Sequence, residues 1–301
     1  MSWQQPPSPP LQIAQSKGIP HPIFGAHYYS AHPQQICSGT YMTTLVTFDV
    51  DGTLIRCVGP GSNALHKAAF ARACLRCFGI DTHVDQIEHH GGTDPLILIK
   101  LLFSVHGIPV ADVHSMLPRL QHEMVSFYQA HAESSGADGL QALPGAAELL
   151  CCLQQRSDTL TCLVTGNLEP IGWSKMGAVD LKRLFSPPLF GGFGSDFCSG
   201  NFTEMWRDRA EFIRIARSKA DVILLQQQRP PISRCCHLGD TPSDILAAAD
   251  AGAVAIGVCT GTFSRQQLQH ALDSSGCQGV VLDDLSDLDC SLAALGLFRS
   301  G

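Results

Sequence analysis

From residue 160 onward, short apolar runs rich in β-branched residues alternate with segments of helical hydrophobic spacing. This alternation predicts βαβ units, because two parallel strands can be joined only by a crossover, usually a helix. A sheet built in this way is covered by helices on both faces. The predicted strands of this half lie at 160–165, 189–192, 235–239, 253–258 and 280–282. The predicted helices lie at 144–156, 168–177, 208–220, 242–250 and 264–272.

One further strand and a purely helical stretch precede these units. The run 45–50 is β-rich and ends in a turn signal, whereas helical spacing dominates 62–78, 94–106 and 110–131. This order predicts an α/β core that is interrupted after its first strand by inserted helices. The first residues are rich in Pro, Gln, Ser and His and lack periodicity, which is typical of disorder. The predicted domains are a disordered leader at 1–41, a core formed by 42–56 and 144–301, and a helical cap at 57–143.

Composition excludes several classes of protein. Apolar residues make up 45% of the chain and charged residues 16%, which is enough to bury a large core. The formal net charge is −7 and no Lys/Arg block occurs, so we expect no nucleic-acid partner. No apolar run reaches the roughly 18 residues that a membrane span requires. Thirteen cysteines without a secretory signal indicate reduced thiols and a cytoplasmic protein, with an organelle as the alternative.

Polar residues and glycines follow four of the predicted strands at the point where each strand ends. Because the carboxyl ends of parallel strands share one edge of a sheet, we expect these residues to gather there. They are Asp49, Asp51 and Thr53 after the first strand, Thr165, Gly166 and Asn167 after the second, Gly191, Gly192, Ser195 and Asp196 after the third, and Asp240, Thr241, Ser243 and Asp244 after the fourth.

Carboxylates crowded at one edge repel each other unless a hard cation binds between them. Asp49, Asp51 and Asp240 suit a Mg²⁺ site, because Mg²⁺ prefers oxygen ligands. A carboxylate beside Mg²⁺ can attack phosphorus and form an aspartyl-phosphate. A second acid two residues on can protonate the leaving oxygen and then activate water. We expect the backbone N–H groups of Gly52 and Gly166 to bind phosphate oxygens.

Three motifs, in order along the chain, resemble those of the haloacid-dehalogenase superfamily. Asp49-Val-Asp51-Gly-Thr-Leu is similar to its D-x-D-G-T-[LV] signature. Thr165-Gly-Asn ends a hydrophobic strand, as the second motif does, and Gly-Asp240-Thr-Pro-Ser-Asp244 is similar to the acidic G-D-x-x-x-D motif. The resemblance spans residues 43–290 and implies a Rossmann-like parallel sheet with helices on both faces.

The resemblance also implies a role for each matching residue. Asp49 would be the nucleophile and a Mg²⁺ ligand. Asp51 would be the general acid and base, with its backbone carbonyl also contacting the metal. Thr165 would donate a hydrogen bond to the transferring phosphoryl group. Asp240 would complete the metal site, with Asp244 beside it as a further ligand or as a support for the ligands.

One element departs from the family pattern. Many members carry a phosphate-binding lysine, often as Lys-Pro, before the helix that leads to the acidic motif, but two arginines occupy that neighbourhood here. Arg207 is the first candidate for this cation, Arg209 the second, and Lys175 in an earlier helix the third. Arginine is always charged and can bind phosphate through two N–H groups, so the replacement is chemically reasonable. Gly166 and Asn167 complete the expected phosphate-binding set.

The inserted helices resemble the α-helical cap of phosphoglycolate-phosphatase-like members. Gly92-Thr93-Asp94-Pro95 is similar to a G-x-T-D element of those caps, so Thr93 and Asp94 form a predicted substrate loop. Closure of such a cap would expel water and shape the pocket for the leaving group. The resemblance therefore implies a Mg²⁺-dependent phosphatase that acts on a small phosphorylated metabolite.

Other activities of the same superfamily stay open at this point. A haloacid dehalogenase attacks carbon with the same aspartate but needs neither Mg²⁺ nor a second acid, so Asp51, Asp240 and Asp244 argue against it. A phosphohexose mutase would keep Asp51 and return the phosphoryl group to its substrate. The missing lysine motivates a non-catalytic member, although a scaffold has no reason to keep mutually repelling carboxylates. The sequence does not define the oligomeric state.

Overall fold

The structure, a computed structural model, describes residues 42–59, 63–132 and 139–298. The predicted leader at 1–41 lies outside the described residues. Within them, the strands form a six-stranded sheet and a separate two-stranded ribbon. In chain order the strands are β1 (Thr43–Phe48), β2 (Ile55–Cys57), β3 (Leu140–Ala142), β4 (Thr159–Thr165), β5 (Gly191–Phe193), β6 (Ile232–Gly239), β7 (Val254–Val258) and β8 (Gly279–Leu282).

The six-stranded sheet has the order β5-β4-β1-β6-β7-β8, and every neighbouring pair is parallel. The first strand, β1, lies at the centre, with Val46 aligned with Thr161 of β4 and with Cys236 of β6. The chain therefore builds the sheet outward from β1 in two directions. The carboxyl ends of β1, β4 and β6 meet at this switch point, where open parallel sheets bind ligands. The predicted parallel sheet is confirmed.

The α-helices of the described residues include all of those predicted from hydrophobic spacing and one more. The additional helix, α9, is short and begins beyond Asp287, whose side chain accepts a hydrogen bond from the backbone N–H of Cys290. The helices are α1 (Ala64–Phe78), α2 (Asp94–His106), α3 (Val110–Ala132), α4 (Ala146–Gln154), α5 (Glu169–Ala178), α6 (Trp206–Gln226), α7 (Pro242–Asp250), α8 (Arg265–Ser275) and α9 (Leu288–Ala294).

Two apolar clusters cover the two faces of the sheet. Successive residues of a strand point to opposite faces, so β1 contributes to both clusters. Val46 and Phe48 pack with residues of α4, α5 and α9 on one face. Leu45 packs with residues of α6, α7 and α8 on the other. Every residue of β1 is buried, as a central strand with two covered faces requires.

The helices α1, α2 and α3, here called the helical insertion, lie in the chain between β2 and β3. These two strands pair antiparallel, with Ile55 opposite Ala142, so the chain leaves and re-enters the core side by side. A third apolar cluster fills the space between the inserted helices and also contains Leu168 and Ile171 at the start of α5. The insertion therefore packs directly on the core. The ribbon was not predicted, because strands of three residues show too little alternation to recognise.

None of the helices in the described part of the chain is long and apolar enough to cross a membrane. None of the cysteines that the structure describes forms a disulfide. Cys162, Cys235 and Cys236 are buried in the sheet, where they pack as small apolar side chains.

Candidate active site

Three aspartates meet at the carboxyl ends of two neighbouring strands. Asp49 follows β1, Asp240 follows β6, and Asp244 lies in the first turn of α7. One oxygen of each lies within 4.8 Å of the others, and all three residues are buried. Thr241 caps α7 by accepting a hydrogen bond from the backbone N–H of Asp244, and Asp244 accepts from the backbone N–H of Thr241 in return. The cap fixes Asp244 beside the other two carboxylates.

Burial and repulsion change the proton affinity of this aspartate cluster. Burial raises the pKa of Asp49. The positive charge of Arg209 opposes this rise, and the negative charge of Asp244 adds to it. Burial also raises the pKa of Asp240 well above its usual range, with Asp244 and Asp49 contributing. Burial would raise the pKa of Asp244 as well, but Arg209 and His237 hold it below its ordinary value. Full ionisation of the cluster is therefore unfavourable, and a bound cation would relieve this cost.

A buried arginine lies against the aspartate cluster. Nη1 of Arg209 is 2.9 Å from Oδ1 of Asp49 and 2.9 Å from Oδ1 of Asp244. Its Nε–H has no hydrogen-bond partner among the described residues. Arg207, the first candidate for the cationic role, is exposed and pairs with Glu204 at 3.0 Å. The structure thus places the second candidate at the site and the first outside it.

The third candidate cation, Lys175, is buried beside Asp51. Its Nζ lies 2.7 and 2.9 Å from the two Asp51 carboxylate oxygens and 2.9 Å from Oδ1 of Asn167. Burial alone would lower the pKa of Lys175, but the Asp51 carboxylate raises it above its ordinary value. Burial would raise the pKa of Asp51, but Lys175 and Asn167 lower it below its ordinary value. Asp51 therefore stands apart from the aspartate cluster as an ionised carboxylate, with 40% of its side chain exposed.

Asn167 and Thr165 connect Asp51 to the end of β4. Nδ2 of Asn167 donates to Oδ2 of Asp51 and to Oγ1 of Thr165, each at 2.9 Å. The backbone N–H of Asn167 also donates to Oγ1 of Thr165. Because Thr165 accepts these bonds, its hydroxyl proton is available to a ligand. The Asn167 amide is already used by its neighbours, so this residue holds the site together instead of reaching into it.

Two glycines allow the backbone to approach Asp240 closely. Gly52 has a φ of +86°, and a Cβ there would lie 2.4 Å from Oδ2 of Asp240. A Cβ on Gly261 would lie 1.7 Å from the same oxygen. The Gly52 N–H, which the sequence predicts to bind phosphate, donates to the Ile55 carbonyl within its own turn. Gly261 and Thr260 were not predicted, although they follow β7 and the strand-end rule applies equally to them.

The cluster opens into a cavity of 490 Å³ that the core and the helical insertion line together. The core contributes the three motif regions and the Thr260–Gly261 loop. The insertion contributes His66, Phe70 and His89, among others. Cavities of this size suit a small-molecule ligand. His66 was also missed by the sequence, because nothing distinguishes it from an ordinary polar position within α1.

The predicted substrate loop is buried where the insertion meets the core. Thr93 is fully buried and Asp94 is 3% exposed. The backbone N–H of Asp94 donates to the Gly166 carbonyl at 2.8 Å, and its carboxylate accepts from the Leu168 backbone N–H at 2.9 Å. A Cβ on Gly166 would lie 2.4 Å from the Gly92 carbonyl oxygen, so the two layers are in close contact here. Asp94 borders the cavity, but its carboxylate is engaged by protein groups.

The fold and the site together define an α/β protein with a buried acidic centre at the switch point of its sheet. A model of the family described as haloacid dehalogenase-like hydrolase matches residues 43–252. The chain therefore belongs to the haloacid dehalogenase-like hydrolase family.

Individual relatives agree with this assignment. A phosphoglycolate phosphatase from Agrobacterium fabrum is 24% identical over 254 residues, which cover 83% of this chain and 93% of that protein. A solved hydrolase from Pseudomonas syringae is 22% identical with a TM-score of 0.54, and covers 84% of this chain and 98% of its own. The structure of CbbY from Rhodobacter sphaeroides in complex with phosphate is 19% identical with a TM-score of 0.52, and covers 85% of this chain and 100% of its own. The solved structures support the fold.

Proposed function

We propose that this chain is a Mg²⁺-dependent phosphatase that hydrolyses a small phosphate monoester through an aspartyl-phosphate on Asp49. The observation that carries the proposal is the aspartate cluster at the switch point, held by a buried arginine and open to a cavity of 490 Å³. The relative named as a phosphoglycolate phosphatase supports a small phosphorylated metabolite as the substrate.

The donor atoms of the cluster suit Mg²⁺, because they are carboxylate oxygens whose mutual repulsion is unrelieved. Asp49 and Asp240 would hold the ion, and the Asp51 backbone carbonyl would assist. Both oxygens of Asp244 are already engaged, by Arg209 and His237 on one side and by Thr241 on the other. Asp244 is therefore better placed to support Arg209 than to bind metal. Bound Mg²⁺ would supply positive charge beside the phosphate.

The reaction follows from the placement of Asp49 and Asp51. A carboxylate oxygen of Asp49, oriented by Arg209, attacks phosphorus, and the bond from phosphorus to the substrate oxygen breaks. Asp51 is ionised in the free protein, but the negative charge of a bound phosphate ester would favour its protonated form, which gives its proton to the departing oxygen. In the second half, the Asp51 carboxylate takes a proton from the water that attacks phosphorus. That attack releases phosphate and regenerates the Asp49 carboxylate.

Protein donors are available for the phosphate oxygens beside the cavity. The Thr165 hydroxyl keeps its proton free for a ligand, since it accepts from Asn167. The Nε–H of Arg209 lacks an acceptor among the described residues, and a buried unsatisfied donor costs about 1–3 kcal/mol. A phosphate oxygen would satisfy this group. The arginine then replaces the lysine that is usual at this point of the family pattern.

The test is hydrolysis of p-nitrophenyl phosphate by the full chain, with Mg²⁺ and with EDTA. We expect turnover with Mg²⁺, loss of turnover in EDTA, and complete loss in Asp49→Asn with an unchanged circular dichroism spectrum. The matched control is Asp196→Asn, at an aspartate that follows β5 and pairs with Lys219. Retained activity in Asp49→Asn would remove Asp49 as the nucleophile.

The same assay separates the alternative activities of the family. Turnover of a chlorinated acid in EDTA, without phosphatase activity, would identify a dehalogenase. Transfer of the phosphoryl group within a sugar phosphate, followed by ³¹P NMR without release of phosphate, would identify a mutase. Inactivity towards a broad panel of phosphorylated metabolites in Mg²⁺ would favour a non-catalytic protein.

A further inference from the structure

A line of polar contacts runs from the helical insertion to the Asp51 carboxylate. Nζ of Lys175 contacts both Asp51 oxygens and also lies 3.2 Å from Nδ1 of His66 on α1. Nε2 of His66 lies 3.2 Å from Oδ2 of Asp94 on α2. Lys175, His66 and Asp94 are 1%, 6% and 3% exposed, so water does not compete for these contacts. Asp51, His66 and Asp94 all line the cavity, and Asp51 has the most exposed side chain of the three, at 40%.

The hydrogen-bonding capacity of the ammonium group determines which nitrogen of His66 carries the proton. An ammonium has three N–H donors and no acceptor. Those of Lys175 meet Asp51, Oδ1 of Asn167 and Nδ1 of His66. Because Lys175 can only donate, Nδ1 of His66 accepts, and the proton of the neutral ring is on Nε2. That proton is donated to Asp94, so the carboxylate of Asp94 fixes the tautomer of the ring.

Asp94 is itself fixed by both layers of the protein. It is the first residue of α2, and its carboxylate accepts from the backbone N–H of Leu168 in the core. Its own backbone N–H donates to the carbonyl of Gly166, next to Thr165. The line therefore begins at a point where the insertion is joined to the core, and any shift of that joint would be transmitted to Lys175 through the His66 ring.

We infer that His66 and Asp94 are positioning residues that act through Lys175 to hold the carboxyl group of Asp51 in place for proton transfer. The inference rests on the proposed function, in which Asp51 exchanges a proton with the leaving oxygen. Without His66, Lys175 loses one of its fixed partners, and Asp51, which it holds through both oxygens, loses its orientation. Supporting residues of this kind decide whether a reacting group stays within catalytic geometry.

Substrates with different leaving groups distinguish a wrongly oriented Asp51 from a general loss of structure in the active site. kcat/KM covers the steps up to departure of the leaving group. An alkyl phosphate expels a strongly basic alkoxide that needs a proton from Asp51, whereas p-nitrophenyl phosphate expels a weak base that needs little help. A misplaced Asp51 therefore lowers kcat/KM more for the alkyl phosphate. General damage to the site lowers both values by the same factor.

The variants are chosen to keep the packing of the ring. His66→Phe retains contacts with Phe70 and Tyr128, whose rings lie 5.2 and 6.1 Å from that of His66, but removes both nitrogens. His66→Asn places an amide where Nδ1 was and can still accept from the lysine. The control is His106→Phe, at a histidine of the same insertion that contacts Oγ1 of Thr82 at 2.8 Å.

We expect His66→Phe to lower kcat/KM for glycerol phosphate by about 100-fold or more, the usual contribution of acid–base catalysis. The loss for p-nitrophenyl phosphate should be about tenfold smaller. His66→Asn should recover most of the difference between the two substrates, and His106→Phe should change neither value. Equal losses on both substrates, or no loss on either, would overturn the inference.

A second measurement does not depend on activity. In ¹⁵N-histidine NMR spectra of the full chain we expect His66 as the neutral tautomer protonated at Nε2, assigned by its absence in His66→Phe. A ring protonated at Nδ1, or at both nitrogens at neutral pH, would overturn the inference even if the enzyme is active. Failure of the wild-type protein to hydrolyse either substrate in Mg²⁺ would refute the proposed function instead, and the NMR result would still report on the contact.

Discussion

Replacing Asp240 by asparagine should stabilise the metal-free protein while removing its response to Mg²⁺. The variant keeps an oxygen that can accept from the Thr53 hydroxyl, which lies 3.3 Å from Oδ1 of Asp240. It removes one negative charge from a cluster whose oxygens lie within 4.8 Å of one another. The local geometry is thus retained and the charge is changed.

The magnitude follows from the contacts of Asp240. Two carboxylates 4.8 Å apart repel by about 3.5 kcal/mol at an effective dielectric constant of 20. Asp240 faces two such neighbours, Asp49 and Asp244, and the attraction of Arg209 offsets one of them. The net gain on removing the charge is therefore about 3.5 kcal/mol. At about 2.1 cal/mol/K of unfolding entropy per residue, that corresponds to a rise in Tm of about 5–6 °C in EDTA for a chain of 301 residues.

The pH dependence of this gain has a defined sign. The folded-state pKa of Asp240 is raised above its unfolded value, so ionisation of this group opposes folding. Near pH 4 the wild-type carboxyl is protonated in the fold, and the two proteins should differ little. As the pH rises through the raised pKa, the wild type loses stability that the variant keeps. The difference in Tm should therefore be larger at pH 8 than at pH 5.

Mg²⁺ should cancel most of this difference. A ligand at 100 times its Kd adds about 2.7 kcal/mol to the stability of the wild type, whereas Asp240→Asn lacks a ligand and should gain little. The assay is differential scanning fluorimetry in EDTA and in Mg²⁺ at both pH values. The control is Asp283→Asn, at a carboxylate that is 88% exposed. A variant that is less stable than wild type in EDTA, or that shows the same Mg²⁺ shift, would refute the reasoning.

Two further predictions concern the arginines and the glycine at Asp240. Arg209→Met should lower kcat by about 100-fold or more, as loss of a preorganised donor usually does. Arg207→Met, at an exposed arginine, should change kcat less than about twofold. Equal effects of the two variants in steady-state assays would contradict the placement of Arg209 as the cation of the site. Gly261→Ala should weaken Mg²⁺ binding by about tenfold or more, because its Cβ would displace Oδ2 of Asp240. Isothermal titration calorimetry measures that loss, and Gly177→Ala, which has open space around its Cβ, should bind normally.

The sequence predicted those residues of the candidate site that directly follow a parallel strand. A residue that directly follows a parallel strand can only lie at one edge of the sheet, so Asp49, Thr165 and Asp240 were found without knowledge of any side-chain direction. The aspartate cluster follows from that topology. Thr260 and Gly261 follow β7 by the same rule and could have been found.

The identity of the cation could not be predicted in this way, because it depends on the rotation of a helix. Arg207 and Arg209 are two positions apart, which separates them by more than half a turn of an α-helix. The predicted helix began at residue 208, whereas α6 begins at Trp206. An uncertain start leaves the rotation of the first turn undefined, and only the packed structure shows that Arg209 faces Asp49.

Lys175 shows a second kind of limit. A lysine within an α-helix ordinarily lies on the solvated face, and its spacing gives no reason to expect otherwise. Its burial is explained by partners outside its own helix. Asp51 and His66 are distant in sequence, and Asn167 lies between β4 and α5. Sequence spacing within one helix carries no information on such partners.

The pairing of β2 with β3 has a consequence for how this enzyme family could diversify. Because Ile55 lies opposite Ala142, the two connections to the inserted helices start from one place, and a different insertion could be spliced there without changing the order of the sheet. Such a chimaera would nevertheless lose the imidazole that meets Lys175. The inserted helices would thus supply both the contacts to the substrate and the histidine that supports Lys175. A chimaera with new inserted helices that lack this histidine should fold but turn over slowly.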